Sequence, residues 1–94
     1  MIEDAVLGEL KAKIKGASLP RRVKFDLGGN DILIIDGATI SQEDGPADVT
    51  LTLSQADLSS ILSGDLNPQM AFMTGRLKVA GDMSLAMQLA SALG

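Results

Sequence analysis

Between Asn67 and Met83 the chain changes the kind of structure it can form several times within seventeen residues. Asn67-Pro68 starts a helix, with Asn as cap and Pro at the first helical position, where its missing donor costs nothing. Thr74-Gly75 breaks that helix, and Arg76-Leu77-Lys78-Val79 alternates as a strand. Asp82 then caps a final helix from Met83 to Leu93. No residue in the stretch can do covalent chemistry. It is rich in methionine and runs into a helix with no charge after Asp82, so it reads as a surface made to hold something apolar.

Ninety-four residues support one compact domain with a radius of roughly 12 Å. That leaves room for a core and at most one modest cavity. At 46% hydrophobic and 21% charged residues the chain is globular, and no apolar run is longer than that from Ile32 to Ile35, far too short to cross a bilayer. The acidic start Met1-Ile2-Glu3-Asp4 lacks the basic and apolar regions of a signal peptide, so the expectation is a cytoplasmic protein. The absence of cysteine removes disulfides, thiolate metal sites and thiol nucleophiles. The absence of histidine removes the commonest general base and the usual partner of a catalytic serine. These exclusions weigh against an enzyme.

The pattern along the chain is mixed. Ile2, Val6, Leu10 and Ile14, with Leu7 beside them, make one stripe of an amphipathic helix that Gly16 can close. After Ser18-Leu19-Pro20, Val23, Phe25 and Leu27 alternate with Arg22, Lys24 and Asp26 as a half-buried strand. Gly28-Gly29-Asn30-Asp31 reverses the chain into Ile32-Leu33-Ile34-Ile35, a strand covered on both faces or central in a sheet. Asp36-Gly37 turns into a short strand at 38–41, and residues 42–46 form a polar loop. In 48–53, Val49, Leu51 and Leu53 face inward and two threonines face outward. Ser54 with Asp57 resembles a capping box and opens a helix carrying Leu58, Ile61 and Leu62, which Gly64 ends. In the last helix Ser84, Gln88 and Ser91 form a narrow polar stripe, with Met83, Leu85, Met87, Leu89 and Leu93 elsewhere. Two readings of that helix stand: burial in a core or dimer interface, and lining of a cavity.

Six of the eight basic side chains lie in residues 11–24 (Lys11, Lys13, Lys15, Arg21, Arg22, Lys24). They suit the end of a helix and the solvent side of a strand, or a patch for a phosphate, a coenzyme A moiety or an anionic membrane. Glu43, Asp44 and Asp48 do not follow a calcium-loop spacing, so no metal and no cofactor is expected. Ser54, Ser59, Ser60 and Ser63 lack a base in sequence. The acidic chain offers only Phe25 and Phe72 to stack on bases, so no nucleic-acid partner is expected.

The run Ala47-Asp48-Val49-Thr50-Leu51-Thr52-Leu53-Ser54, through Leu58 and Ile61-Leu62-Ser63-Gly64, to Asn67-Pro68-Gln69-Met70-Ala71-Phe72-Met73-Thr74-Gly75-Arg76-Leu77-Lys78-Val79-Ala80-Gly81-Asp82-Met83 resembles the sterol carrier protein 2 domain. The specific part covers residues 47–93. The resemblance implies one domain over residues 1–94 with an α+β fold: a curved, five-stranded, mostly antiparallel sheet with helices packed on one face and a hydrophobic tunnel between. Family members bind and carry fatty acids, fatty acyl-CoA, phospholipids or sterols without transforming them. The ligand-lining residues implied here are Phe25, Leu27, Leu51, Leu53, Leu58, Leu62, Met70, Phe72, Met73, Leu77, Val79, Met83 and Met87. A short first helix, a compact loop between Ile40 and Asp48 and the lack of sheet aromatics depart from the family pattern, which makes sterol the least expected ligand.

The leading expectation is a non-enzymatic carrier for a fatty acid or fatty acyl-CoA, acting as a monomer or weak homodimer with transient contact to a membrane surface. The competing one is a dimerisation or docking module for a lipid- or quinone-synthesis enzyme that uses the apolar C-terminal helix. A third is an accessory domain that presents acyl substrates within an enzyme complex.

Overall fold

The computed structural model describes residues 2–15, 21–29, 31–37 and 39–93. Among these the chain forms α1 (Asp4–Lys15), β1 (Val23–Asp26), β2 (Ile32–Asp36), β3 (Thr39–Ser41), β4 (Val49–Thr52), α2 (Gln55–Ser63), α3 (Pro68–Met73), β5 (Lys78–Gly81) and α4 (Met83–Leu93). The expected closure of α1 by Gly16, the segment Ser18–Pro20, Asn30 in the first turn and Ala38 at the start of β3 lie outside the described residues.

The five strands form one sheet in the order β3-β2-β1-β4-β5, with β1 at its centre. Three of the four pairings are antiparallel, and β1 with β4 is parallel. That parallel pairing requires a connection from β3 at one edge back across β2 and β1. Residues 42–48 provide it, and Asp44 in this segment reaches Lys24 Nζ at 2.7 Å. Lys24 alternates with the inward-facing Val23 and Phe25, so the crossing runs over the outer face of the sheet.

This crossing explains the unbroken apolar run of β2. Leu33 and Ile35 join the core, while Ile34, in register with Lys24 on the outer face, is also fully buried although it stands apart from the main apolar cluster. Of the two alternatives for Ile32–Ile35, coverage on both faces is the one found; the central strand is β1.

All four helices contribute to the inner side. Val6, Leu10 and Ile14 of α1, Leu58, Ile61 and Leu62 of α2, Ala71 of α3, and Leu85, Ala86, Leu89 and Leu93 of α4 join the inner residues of the sheet in one cluster. The helix ends follow the sequence signals. Ser54 Oγ accepts from the Asp57 N–H at 3.0 Å, and Asn67 Oδ1 accepts from the Gln69 N–H at 2.8 Å. Gly64, at φ 87°, closes α2 by donating to the Ile61 carbonyl.

β5 begins later than the alternation of Arg76 to Val79 predicts. The N–H groups of Arg76 and Leu77 both donate to the Ala71 carbonyl, at 2.9 and 3.0 Å, and so seal the end of α3. Donors engaged there cannot join a ladder, and pairing starts at Lys78 opposite Thr52. The strand instead continues to Gly81, where the backbone lies against Asp48 and φ is +112°. A Cβ at this position would overlap the Asp48 carbonyl oxygen, so glycine is required by contact as well as by conformation.

Candidate functional site

α3 and α4 leave an apolar gap at the β5 side of the molecule. α3 is six residues long and buries only Pro68 and Ala71, so Phe72 and Met73 project beyond the core. α4 buries Leu85, Ala86, Leu89 and Leu93, while its neighbouring stripe of Met83, Met87 and Ala90 borders the gap. The gap between these helices and the inner face of β4 and β5 is a groove of about 220 Å³.

Its floor is Phe25, Leu51, Leu53, Leu77 and Val79, its walls are Ile61, Pro68, Gln69, Phe72 and Met73 on one side, and Met83, Ala86, Met87, Ala90 and Leu93 close the other. Among these lining residues Gln69 is the one polar side chain. Met70, Phe72, Met83 and Met87 are each 46% to 57% exposed and Met73 is 77% exposed, so the methionines do not fill the core. The space between sheet and helices is thus a groove open to solvent along its methionine edge.

Of the lining residues implied by sequence, four lie off the groove. Leu58 is fully buried in the core, and α2 gives the groove Ile61 instead. Leu62 borders a separate depression with Lys13 and Leu66, and Leu27 borders another with Arg76 and Lys78. Met70 sits on the solvent side of α3, away from the cavity. The groove also takes Ile61, Pro68, Gln69, Ala86, Ala90 and Leu93, which the sequence reading left out. For α4 a signal existed: positions 83, 86, 87, 90 and 93 fall on one face of a helix, and all are apolar.

α4 is fixed at its start by one carboxylate. Asp82 Oδ1 accepts from the Leu85 N–H at 3.2 Å, and Oδ2 accepts from Arg21 Nη1 at 3.2 Å. The rest of the basic segment divides. Arg22 and Lys24 face Asp36 and Asp44, at 3.7 and 2.7 Å, so these two serve the outer face of the sheet. The Lys24 hydrogen bond, with the Gly45 N–H and the ammonium charge, holds the Asp44 carboxyl below the ordinary carboxylate range. Lys11, Lys13 and Lys15 stand exposed on α1. Lys13 borders the depression that shares Ile61, Pro68 and Leu93 with the groove.

Glu43, Asp44 and Asp48 do not converge on one point: Asp48 accepts from the Arg22 N–H, and no group of acids able to hold a metal occurs among the described residues. No helix among them is long and apolar enough to cross a membrane.

The model of the SCP-2 sterol transfer family matches residues 4–94 of this chain. The chain belongs to that family. Among SCP-2 relatives, sterol carrier protein 2 of Rattus norvegicus is 38% identical over 90 residues, which cover 89% of this chain and 16% of the rat protein. The chain therefore spans about a sixth of the length of that relative. The crystal structure of sterol carrier protein 2 like 2 from Aedes aegypti superposes with a TM-score of 0.81 at 23% identity, covering 94% of this chain and 93% of the mosquito protein. The solution structure of the palmitated form of that mosquito protein gives a TM-score of 0.78 at 23% identity, over 99% and 95% of the two chains. These likenesses show that the SCP-2 fold is common to all three.

Proposed function

We propose that this domain binds and carries a single-chain lipid, a fatty acid or fatty acyl-CoA, without transforming it. The observation that carries the reading is the groove itself: fifteen lining residues, fourteen of them apolar, on an SCP-2 fold. Each methylene removed from water there contributes about 0.8 kcal/mol, and no polar group of the wall except Gln69 competes for the chain. The palmitated state of the mosquito protein supports the choice of an acyl chain, since the same fold accommodates one there.

A volume of about 220 Å³ lies below the roughly 300–1,000 Å³ typical of sites that enclose a drug-sized ligand. A long acyl chain would therefore widen the groove or leave part of itself at the open edge. Flexible methionines are suited to that adjustment. The carboxylate or coenzyme A end would stay outside, with Lys13 beside the contiguous depression as the nearest basic group of α1.

Titration of the purified domain with saturated fatty acids and acyl-CoA, followed by native mass spectrometry, is expected to show one lipid per chain with affinity in the micromolar range. Absence of any bound acyl ligand at those concentrations would overturn the proposal.

A further inference from the structure

Four of the five methionines stand exposed on two neighbouring helices, Met70 and Met73 on α3 and Met83 and Met87 on α4. The chain has no cysteine, histidine, tyrosine or tryptophan, so methionine sulfur is the most readily oxidised group it carries. A thioether packed in a core is shielded by its neighbours. These four are not, and Met73, at 77%, is the most exposed of them.

Their position gives oxidation a consequence. Met73, Met83 and Met87 line the groove, and Met70 lies on the solvent side of α3 away from it. One oxygen added to the sulfur turns a flexible apolar side chain into a polar one with a strong acceptor. While the groove is empty that oxygen is hydrated, because each of the three side chains is at least 46% exposed, and the fold is little affected. An acyl chain laid in the groove removes that water, and Gln69 is the one polar side chain among the lining residues to replace it. Its amide serves at most two of three oxygens; the rest stay desolvated or turn outward and withdraw their side chains from the acyl chain. Oxidation therefore penalises the loaded state and spares the empty one, the differential that a change in cargo binding needs.

We propose that Met73, Met83 and Met87 form a peroxide-sensitive release switch at the open edge of the groove, oxidised to methionine sulfoxide to discharge the acyl chain. The thioether sulfur attacks a peroxide oxygen and the O–O bond breaks as the S–O bond forms. Sulfur loses two electrons, and hydrogen peroxide is reduced to water. A thiol-dependent sulfoxide reductase reverses the step, with the oxygen leaving as water and two thiols joining as a disulfide. The inference rests on the carrier reading and adds regulation of the same site. A bound chain covers the three groove-lining thioethers from solvent and shields them, while Met70 stays as open as before.

The test treats the purified protein with hydrogen peroxide and maps the added oxygens by peptide mass spectrometry. Met70, Met73, Met83 and Met87 should each gain one oxygen, Met73 fastest, and a saturating fatty acid should slow Met73, Met83 and Met87 severalfold while leaving Met70 unchanged. The oxidised protein should bind the fatty acid about tenfold more weakly, the equivalent of about 1.4 kcal/mol for a polar group left without a partner, with its thermal unfolding unchanged. M70L should respond to peroxide as the parent does. In the M73L/M83L/M87L variant the affinity, whatever its starting value, should be the same before and after treatment. Parent affinity unchanged by full oxidation, a loss of affinity that persists in the triple variant, or a loss in step with unfolding would overturn the switch and leave the carrier reading in place. Failure of the untreated parent to bind any fatty acid would refute the carrier reading, and the switch with it.

Discussion

The substitution Ala90→Leu tests whether the groove is the acyl site, because Ala90 borders the cavity from α4 and is only partly buried. Leucine adds three carbons to the methyl group already there. In a groove of about 220 Å³ those carbons occupy space that an acyl chain would otherwise fill. Displacing three methylenes of lipid from apolar contact costs about 2.4 kcal/mol, or roughly 60-fold in Kd. The folded state should change little, since leucine is a good helix former and its added atoms extend into open space. A fluorescence displacement assay over a series of saturated fatty acids separates this from general damage. The parent should lose about fourfold in affinity for each methylene removed from the chain. The variant should bind a long acid about 60-fold more weakly than the parent, yet bind an acid three carbons shorter with nearly the parent's affinity for that acid. Equal affinity of parent and variant for the long acid, with the variant folded by circular dichroism, would refute the assignment of the site.

Three further outcomes follow from the packing. Gly81→Ala should destabilise the domain by about 3 kcal/mol or more in urea unfolding, because strained backbone and overlap with the Asp48 carbonyl act together. Asp82→Ala should cost about 1–2 kcal/mol through loss of the α4 cap and the exposed Arg21 pair, and Asp82→Asn should recover most of it, since an amide oxygen still caps. Asp44 has a folded-state pKa below its unfolded value, so its stabilising contribution is present above the ordinary carboxylate range and is lost as pH falls through the depressed value. NMR titration of Lys24→Gln should return the Asp44 midpoint toward that of a free aspartate.

Sequence reasoning placed the helix caps well because Ser54, Asn67 and Asp82 each act within three residues of themselves. It misplaced the start of β5 because the competing partner for Arg76 and Leu77 is a carbonyl made available only when α3 ends. For Ile32–Ile35 the sequence left open whether the strand is covered on both faces or central in the sheet, since the segment passing over Lys24, the partner of Ile34, is a polar loop that returns from β3. Phe25, Leu51, Leu53, Phe72, Met73, Leu77, Val79, Met83 and Met87 are brought by the fold around one groove. Leu58 and Ile61 show where such reading stops. Both are apolar and both lie on the buried side of α2, yet only Ile61 of the two borders the groove, which depends on how the helix is set on the rest of the fold rather than on its own pattern.

The parallel pairing of β1 and β4 divides the molecule in a way that its compact outline conceals. Among the described residues, the elements before the 42–48 crossing are a helix and a three-stranded meander, and those after it are a strand, two short helices, a strand and a helix. Among the described residues around the groove, only Phe25 comes from the first part. The N-terminal part therefore backs the groove, joined to the C-terminal part along four residue pairs of one strand seam and where α1 meets α2 and α4. The residues that line the groove and those that hold the join are therefore largely separate. A chain severed within 42–47 would leave the secondary structure of each part intact, and the two would have to rejoin through the β1–β4 seam and the contacts of α1 with α2 and α4 together.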